Sequence, residues 1–193
     1  MDDRVALQLL GPSTGGIRQH VTQLARGLPE VGWQAWVAAP AGVGEGTDLP
    51  PASVVAVPSG PNPLGALRAR AALRPVAQGA DLVHAHGLKA GWVAALAGTG
   101  LPLVVTVHNL VLDEAAGRSA RVLRRLEGWL PSRADGVIAV SEEIAARFGG
   151  PSESLWVVPP AGPLPRPGRD AATVRTALGV ALDAPLVVSV ARL

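Results

Sequence analysis

The chain has 193 residues, and 48% of them are hydrophobic, which is enough to form the core of one domain with an appendage. It contains no cysteine, so disulfides and thiolate chemistry are excluded, and its longest apolar runs are far shorter than the ~20 residues that span a bilayer. The net charge is only +2, aromatic residues make up 3%, and most arginines are scattered, so the composition argues against a nucleic-acid partner.

Apolar runs and helical patterns alternate along the chain. The apolar runs predict strands at residues 4–10, 33–39, 53–58, 81–86, 103–107, 136–140 and 155–158. The segments between them predict helices near residues 16–28, 64–77, 88–97, 118–132 and 142–148. Because the runs are continuously apolar rather than alternating, we expect their strands to be covered on both faces. This pattern predicts an α/β fold with a doubly wound parallel sheet, as in Rossmann-like domains.

The segment GPSTGGIRQHV, residues 11–21, connects the first strand to the first helix. Its glycine pair, Gly15 and Gly16, would let a ligand approach the backbone, and the helix amino terminus offers N–H groups to an anion. A tight turn between strand and helix explains the two glycines equally well. The segment lacks the G-x-G-x-x-G pattern, and the second strand ends in VAAP rather than in an acidic residue, which disfavours a nicotinamide-dependent enzyme.

Two histidines lie two residues apart in the fourth apolar run, DLVHAHG. His84 and His86 are therefore expected on the same side of a strand. A metal site would need further ligands, and Asp81 is the only acidic residue nearby in the sequence, so we expect no metal there. The pair is expected at the carboxyl end of a central strand, where it either contacts a substrate or simply lines the strand end.

Polar residues also follow the fifth and sixth runs. His108 would share one sheet edge with Gly15, Gly16 and His86 if the strands are parallel, and such convergence is typical of a binding cleft. A hydrogen-bonded histidine at a strand end is the alternative. Ser141 precedes EEIAARFGG, where capping of a helix is a sufficient role for it. There is no G-x-S-x-G or Walker motif, which weakens the hydrolase and P-loop interpretations.

Residues 118–132, RSARVLRRLEGWLPS, show a basic amphipathic helical pattern. The apolar stripe consists of Val122, Leu123, Leu126, Trp129 and Leu130. A basic amphipathic helix can contact a membrane surface. Packing of the stripe on the sheet is the more common role at this length, and it is the one we expect.

After Val158 the sequence changes to PPAGPLPRPGRD, in which proline and glycine dominate. This predicts a domain at residues 1–159, a linker at 160–170 and the start of a second domain at 171–193. The second domain would begin with a helix at 171–180 and a strand at 186–190. We therefore expect it to be incomplete, with the rest of a carboxyl-terminal domain missing.

The ordered set of segments resembles the amino-terminal domain of a GT-B fold glycosyltransferase of family 4. The segments that resemble it are GGIRQHVTQLARGLPEVGWQAWVAAP, DLVHAHGLKAGWVAALAG, PLVVTVHN, ADGVIAVSE and VVPPAG. The resemblance implies two Rossmann-like domains with the active site between them. The terminal VVSVARL resembles the first strand of the second domain, although Ala191 replaces the usual glycine.

The resemblance also implies roles for individual residues. Gly15, Gly16 and Arg192 would bind the diphosphate and sugar of the donor. His108 would be the catalytic residue beside the transferred sugar. The acceptor side would consist of His86, Asn109, Arg118 and Arg121, with His84 and Ser141 as further residues of the cleft. Relatives often have an aromatic residue where this chain has Gly87, so the identity of the acceptor stays open.

The implied reaction transfers a sugar from a nucleotide diphosphate sugar to an acceptor hydroxyl, with retention at the anomeric carbon and without a metal or cofactor. The acceptor would be a small molecule, a glycan or a lipid-linked molecule. Two alternatives remain: a sugar-nucleotide 2-epimerase of similar fold, and a non-catalytic binding module. The start MDDR shows no leader, so we expect a cytoplasmic protein, with peripheral contact at the inner membrane face as an option. The 193 residues alone are expected to be inactive.

Overall fold

The computed structural model describes residues 4–13, 15–58, 62–110, 120–160 and 167–189 of the chain. The chain divides into two compact units, Met1–Ala161 and Gly162–Leu193. The strands of the first unit are β1 (Arg4–Leu10), β2 (Trp33–Ala39), β3 (Ala52–Val54), β4 (Leu82–His86), β5 (Leu103–Val107), β6 (Gly136–Ala139) and β7 (Leu155–Val157). Its helices are α1 (Gly16–Gly27), α2 (Pro63–Val76), α3 (Leu88–Ala97), α4 (Ala120–Trp129) and α5 (Glu142–Arg147), with 3₁₀ turns at Leu28–Val31 and Leu130–Ser132. The second unit contains helix α6 (Ala171–Ala177).

The strands form one sheet in the order β3-β2-β1-β4-β5-β6-β7. Every pair of neighbours is parallel. The order reverses between β1 and β4, because the chain runs outward from β1 to β3 and then returns to the other side of β1. The predicted α/β fold with a doubly wound parallel sheet is thus confirmed. In such sheets ligands bind beyond the carboxyl ends of the strands where the order reverses, which here are β1 and β4.

The sheet is covered on both faces, as β1 shows most clearly. Leu7 and Leu9 belong to a large apolar core that includes Leu73 of α2. Leu10 belongs to a smaller core with Val21 of α1. Because successive strand residues point to opposite faces, α1 and α2 cover opposite sides of the sheet. The carboxyl ends of the central strands are therefore held from both sides.

Two aspartates bind the backbone at the opposite, amino-terminal ends of the strands. The N–H of Val5 donates to Oδ2 of Asp81 at 2.7 Å, and the N–H of Leu103 donates to Oδ2 of Asp135 at 2.8 Å. Asp81 precedes His86 by five residues of extended chain, which is roughly 16 Å. Asp81 therefore has a structural role at the start of β4 and does not join the histidines.

Helix α3 packs very close to the sheet at Gly91. A Cβ atom on Gly91 would lie 2.9 Å from Cδ2 of Leu130 and 3.0 Å from Cγ1 of Val105. Contacts this short would force the neighbouring apolar side chains to move. The glycine therefore fixes the distance between α3 and β5, and with it the position of the helix start beside the end of β4.

Two predicted strands differ from the structure. The run at 53–58 forms a strand only over Ala52–Val54, because the chain turns after Val55 with a hydrogen bond from the N–H of Val57 to the carbonyl of Val55 at 2.9 Å. The strand predicted at 186–190 is wrong over residues 186–189, which form no strand. The described part of the second unit contains no other strand that could supply its hydrogen bonds.

The apolar stripe of α4 is only partly buried. Leu130 is 1% exposed, whereas Val122 is 60% exposed and Leu126 is 37% exposed. The indole Nε1 of Trp92 on α3 donates to the carbonyl of Leu126 at 3.0 Å, so the carboxyl half of α4 is attached to α3. The exposed side chains line a groove of about 560 Å³ between α2, α3 and α4. Of the apolar stripe that we expected to pack on the sheet, Leu130 is thus buried in the large core, whereas Val122 is exposed.

None of the helices in the described residues is long and apolar enough to cross a membrane.

Candidate functional site

All four histidines of the chain lie together at the carboxyl edge of the sheet. His84 and His86 are on β4, His108 directly follows β5, and His20 is on the second turn of α1. The ring centroids of His84 and His86 are 4.2 Å apart, and those of His86 and His108 are 5.8 Å apart. The ring of His20 lies 5.6 Å from that of His86 and 5.3 Å from that of His108. We refer to these four residues as the histidine cluster.

The register of the three central strands creates this cluster. His86, the last residue of β4, is opposite Leu10, the last residue of β1, and Thr106, the last residue but one of β5, so the three strands end within one residue of each other. His108 comes two residues after Thr106 and emerges at the same edge. Helix α1 begins six residues after β1, which places its first turns, and therefore His20, over this edge.

A buried glutamine orients the ring of His86. Oε1 of Gln8 lies 2.9 Å from Nε2 of His86, and the amide Nε2 of Gln8 donates to the carbonyl of Ala6 at 3.5 Å. Since the amide oxygen can only accept, Nε2 of His86 must carry its proton and donate it to Gln8. The other ring nitrogen, Nδ1, is then a lone pair. It is buried and has no hydrogen-bond partner among the described residues.

The other two histidines of the strand ends differ from each other. Nε2 of His84 lies 2.7 Å from Oγ1 of the buried Thr106, so its ring is held in place. His108 is half-buried, and its Nε2 is buried without a hydrogen-bond partner in the described part of the chain. Buried polar atoms are nearly always hydrogen-bonded in folded proteins. The two unpaired nitrogens, on His86 and His108, are therefore candidate contacts for a ligand.

Burial keeps the histidine cluster uncharged. Desolvation, with repulsion from neighbouring histidines, lowers the pKa of His84 to about 3 and that of His108 to about 4. The same causes hold the pKa of the fully buried His86 well below its ordinary value, and desolvation lowers the pKa of His20. At neutral pH the four rings are neutral hydrogen-bonding groups, not cations.

The glycine pair lies at the same edge. Gly15 precedes α1 without a side-chain cap, and the first turn of α1 contains no acidic residue. Among the described residues, no atom would lie within 4 Å of a Cβ atom on Gly16, and neither glycine has a positive φ. The turn therefore does not require glycine at position 16. Open space beside an uncapped helix start is instead what an anionic ligand needs.

The backbone conformation at position 87 requires glycine. Its φ is 86° and its ψ is 160°, a conformation that side chains rarely allow, and it forms the cap of α3. Its N–H donates to the carbonyl of Thr106 at 2.8 Å, which joins β4 to β5 at the edge. An aromatic residue at this position would not fit this geometry.

The remaining predicted residues are less central. Oγ of Ser141 accepts a hydrogen bond from the N–H of Ile144 at 3.3 Å, so Ser141 caps α5 as expected from its sequence context. Asn109 is exposed directly after His108, and Arg121 is exposed on α4. Arg118 and Arg192 lie outside the described residues.

Sequence reasoning missed His20 and Gln8. His20 follows Gly16 by four residues, so it lies one helical turn further along α1 on the same side, and this spacing was the available signal. Gln8 is a polar residue inside the apolar run RVALQLL, which signals a buried polar contact. Asp81, the only acidic residue near the histidine pair in the sequence, bonds to the backbone at the other end of β4. The structure instead brings together His20, His86 and His108, with one ring nitrogen of each within 4.8 Å of the others.

Comparison with a family model matches residues 14–161 to Glycosyltransferase Family 4. The chain is similar to the crystal structure of HepE from Anabaena in complex with UDP, with a TM-score of 0.66 and 24% identity over 90% of this chain and 50% of that one. It is also similar to sucrose-phosphate synthase from Thermosynechococcus elongatus, with a TM-score of 0.67 and 20% identity over 94% of this chain and 54% of that one.

An epimerase is also similar in structure. The UDP-GlcNAc 2-epimerase from Neisseria meningitidis, bound to UDP-GlcNAc, gives a TM-score of 0.57 and 15% identity over 79% of this chain and 46% of that one. The chain spans about half the length of these solved structures. No curated protein sequence matches it.

Proposed function

The chain belongs to Glycosyltransferase Family 4, and we propose that it supplies the acceptor-side half of an enzyme that transfers a sugar from a nucleotide diphosphate sugar to an acceptor hydroxyl. The main support is the position of His108, whose Nε2 has no hydrogen-bond partner among the described residues and lies at the same sheet edge as the open start of α1. We further propose that transfer proceeds with retention at the anomeric carbon and without a metal or cofactor.

The donor diphosphate is assigned to the start of α1. Its backbone N–H groups and the positive end of the helix dipole stabilise the negative charge that develops as the diphosphate leaves. The absence of a side chain at Gly16 leaves room for a phosphate or the sugar against the backbone. By resemblance, Arg192 is the second group assigned to the diphosphate.

His108 is assigned to the transferred sugar. The transition state of such a transfer has oxocarbenium-like positive charge on the sugar ring, so a protonated imidazole beside it would be unfavourable. Burial lowers the pKa of His108 to about 4 and keeps the ring neutral. A neutral ring whose nitrogen has no partner among the described residues can form a hydrogen bond with a sugar hydroxyl and hold the sugar in the reactive position.

The acceptor is assigned to the side of the edge formed by His86, Asn109 and α4. Nδ1 of His86 is a buried hydrogen-bond acceptor that suits a hydroxyl group. Asn109 and Arg121 are exposed, and Arg118 is assigned with them by resemblance. The lining of the apolar groove beside α4 includes Arg125, which supports a lipid-linked acceptor with an anionic group over a purely polar one.

A transfer assay distinguishes this proposal from its alternatives. The chain extended through its natural downstream sequence is incubated with pooled UDP-, GDP- and ADP-sugars and with water-soluble or lipid-linked acceptors. We expect a glycosylated acceptor and a free nucleoside diphosphate. Conversion of a nucleotide sugar into its 2-epimer without transfer would instead establish the epimerase alternative. Binding without either product would establish a non-catalytic module.

A further inference from the structure

We propose that His20, His86 and His108 form a binding site for a divalent transition-metal ion of the zinc type. We call these residues the three-histidine site. A metal there would occupy the nitrogens that the transfer reaction needs, so it would inhibit transfer. Metal binding does not depend on the proposed function, whereas the inhibition does.

The spacing of the three rings is close to that of a metal site. One ring nitrogen of each histidine lies within 4.8 Å of one on each of the others. Zinc–nitrogen bonds of about 2.1 Å in tetrahedral geometry put the nitrogens roughly 3.4 Å apart, so no pair has to close by more than about 1.4 Å. Rotation of the half-buried His20 side chain on α1 is able to supply most of that movement.

His86 has the chemistry of a prepared metal ligand. Its Nε2–H donates to Oε1 of Gln8 at 2.9 Å, and ligating histidines usually donate their second ring N–H in this way to an oxygen of the protein. That contact leaves Nδ1 as an unprotonated lone pair, and this atom is buried and unpartnered among the described residues. The imidazole of His86, which is 2% exposed, thus has one nitrogen in a fixed orientation that is able to bind a metal, and no described residue forms a hydrogen bond with that nitrogen.

His108 supplies a second nitrogen, Nε2, that is buried and has no hydrogen-bond partner in the described part of the chain. His20 supplies the third ring, edge-on to both of the others. His84 is not a member, because its Nε2 is engaged with Thr106.

The ligand set selects the kind of metal. The group contains only imidazoles, which suit Zn²⁺, Co²⁺, Ni²⁺ and Cu²⁺. Mg²⁺ and Ca²⁺ prefer oxygen ligands, and this group contains no carboxylate. The site would therefore bind Zn²⁺ or Co²⁺ in the presence of excess Mg²⁺.

The test is a Co²⁺ titration of the 193-residue chain prepared without a polyhistidine tag. Tetrahedral Co²⁺ has intense visible absorption bands, and we expect them to saturate at one ion per chain and to disappear when Zn²⁺ is added. His20→Ala and His108→Ala should each weaken binding at least about tenfold. His84→Gln, which alters the neighbouring ring outside the three-histidine site, should leave binding unchanged. Far-UV circular dichroism of each variant shows whether it is folded.

Two results would overturn the metal site. One is the absence of Co²⁺ bands in the folded wild-type chain. The other is binding that is equally strong in the wild type and in folded His20→Ala and His108→Ala variants, which would place the metal elsewhere. Failure of transfer by the extended chain in the presence of a chelator would overturn the proposed function alone, because these titrations need no substrate.

Discussion

Nε2 of His86 lies 2.9 Å from Oε1 of Gln8, and both side chains are buried between the helices and the sheet. The two residues are on the adjacent strands β1 and β4, and the contact is diagonal, because the residue opposite Gln8 in the register is His84. This hydrogen bond decides which nitrogen of His86 keeps the proton. It therefore determines what the site offers to a ligand at Nδ1.

Gln8→Leu should destabilise the fold by about 1–3 kcal/mol, because the N–H of His86 would be left buried without an acceptor. Urea unfolding monitored by circular dichroism measures this. Gln19→Leu, on the exposed side of α1, is the control and should change stability by less than about 0.5 kcal/mol. The double variant Gln8→Leu/His86→Leu should recover part of the loss, since both polar partners are then removed. Equal stability of Gln8→Leu and wild type would show that the contact is unimportant.

His108→Ala in the extended chain should lower kcat by about a hundredfold or more, while the fold is retained. The reason is loss of the neutral hydrogen-bonding group beside the transferred sugar, at a position that is only half-buried. Steady-state kinetics with the identified donor measure the effect. Turnover close to that of the wild type would mean that His108 is only a strand-end residue.

Ser141→Ala separates helix capping from ligand contact. Its Oγ accepts the N–H of Ile144, so its loss should cost about 1 kcal/mol of unfolding free energy. We expect the KM for the donor to stay the same. Ser141→Asp keeps a capping oxygen and should restore most of the stability. A large increase in KM with unchanged stability would instead place Ser141 against the ligand.

The stability of the first unit should fall as the pH decreases below about 6.5. Burial lowers the pKa of His84 to about 3 and that of His108 to about 4, from the ordinary value of 6.5. The unfolded chain therefore takes up protons that the folded chain does not, so stability that is complete above the unfolded pKa is lost as the pH falls toward the folded pKa. Urea unfolding at several values from about pH 7.5 to about pH 4.5 should show this slope. His84→Gln removes one titrating group and should make the slope shallower; a flat curve for the wild type would contradict the prediction.

The sequence predicted the sheet because each central strand is a continuous apolar run, a signal that needs no knowledge of distant residues. The sequence also predicted that Gly16, His86 and His108 lie at one edge of the sheet, because each follows or ends a strand and parallel strands end at the same edge. His20 could not be placed in the same way, because its direction depends on how α1 rotates about its axis when Val21 packs into the smaller core. The contact between Gln8 and His86 depends on strand register, which apolar runs do not specify.

In the second unit the sequence predicted a strand that the structure does not contain. The run at 186–189 has the composition of a buried strand, yet Val187 is 96% exposed and no strand forms. Composition indicates what a segment prefers, but a strand exists only where a neighbour supplies hydrogen bonds. Local pattern was therefore sufficient to locate the seven paired strands of the first unit, although it overstated the length of β3, and it was insufficient here.

Gly16→Ala gives the sharpest separation of stability from function. Gly16 is the first residue of α1, a Cβ atom there would meet no described residue within 4 Å, and its φ is not positive. Alanine should therefore be tolerated and should stabilise the chain by up to about 1 kcal/mol, because it restricts the unfolded state. The added methyl group would nevertheless occupy the space assigned to the donor, so the KM for the donor should rise or kcat should fall in the extended chain.

Gly27→Ala is the matched control for this substitution. Gly27 is the last residue of the same helix, its Cβ would also meet nothing within 4 Å, and it lies at the end of α1 far from the histidine cluster. Both variants should thus be as stable as the wild type or more so in thermal unfolding, while only Gly16→Ala impairs transfer. Equal activity of the two variants would show that the open space at Gly16 is not used by the donor. Loss of stability in Gly16→Ala would show instead that the turn itself requires glycine, which was the alternative interpretation of the pair.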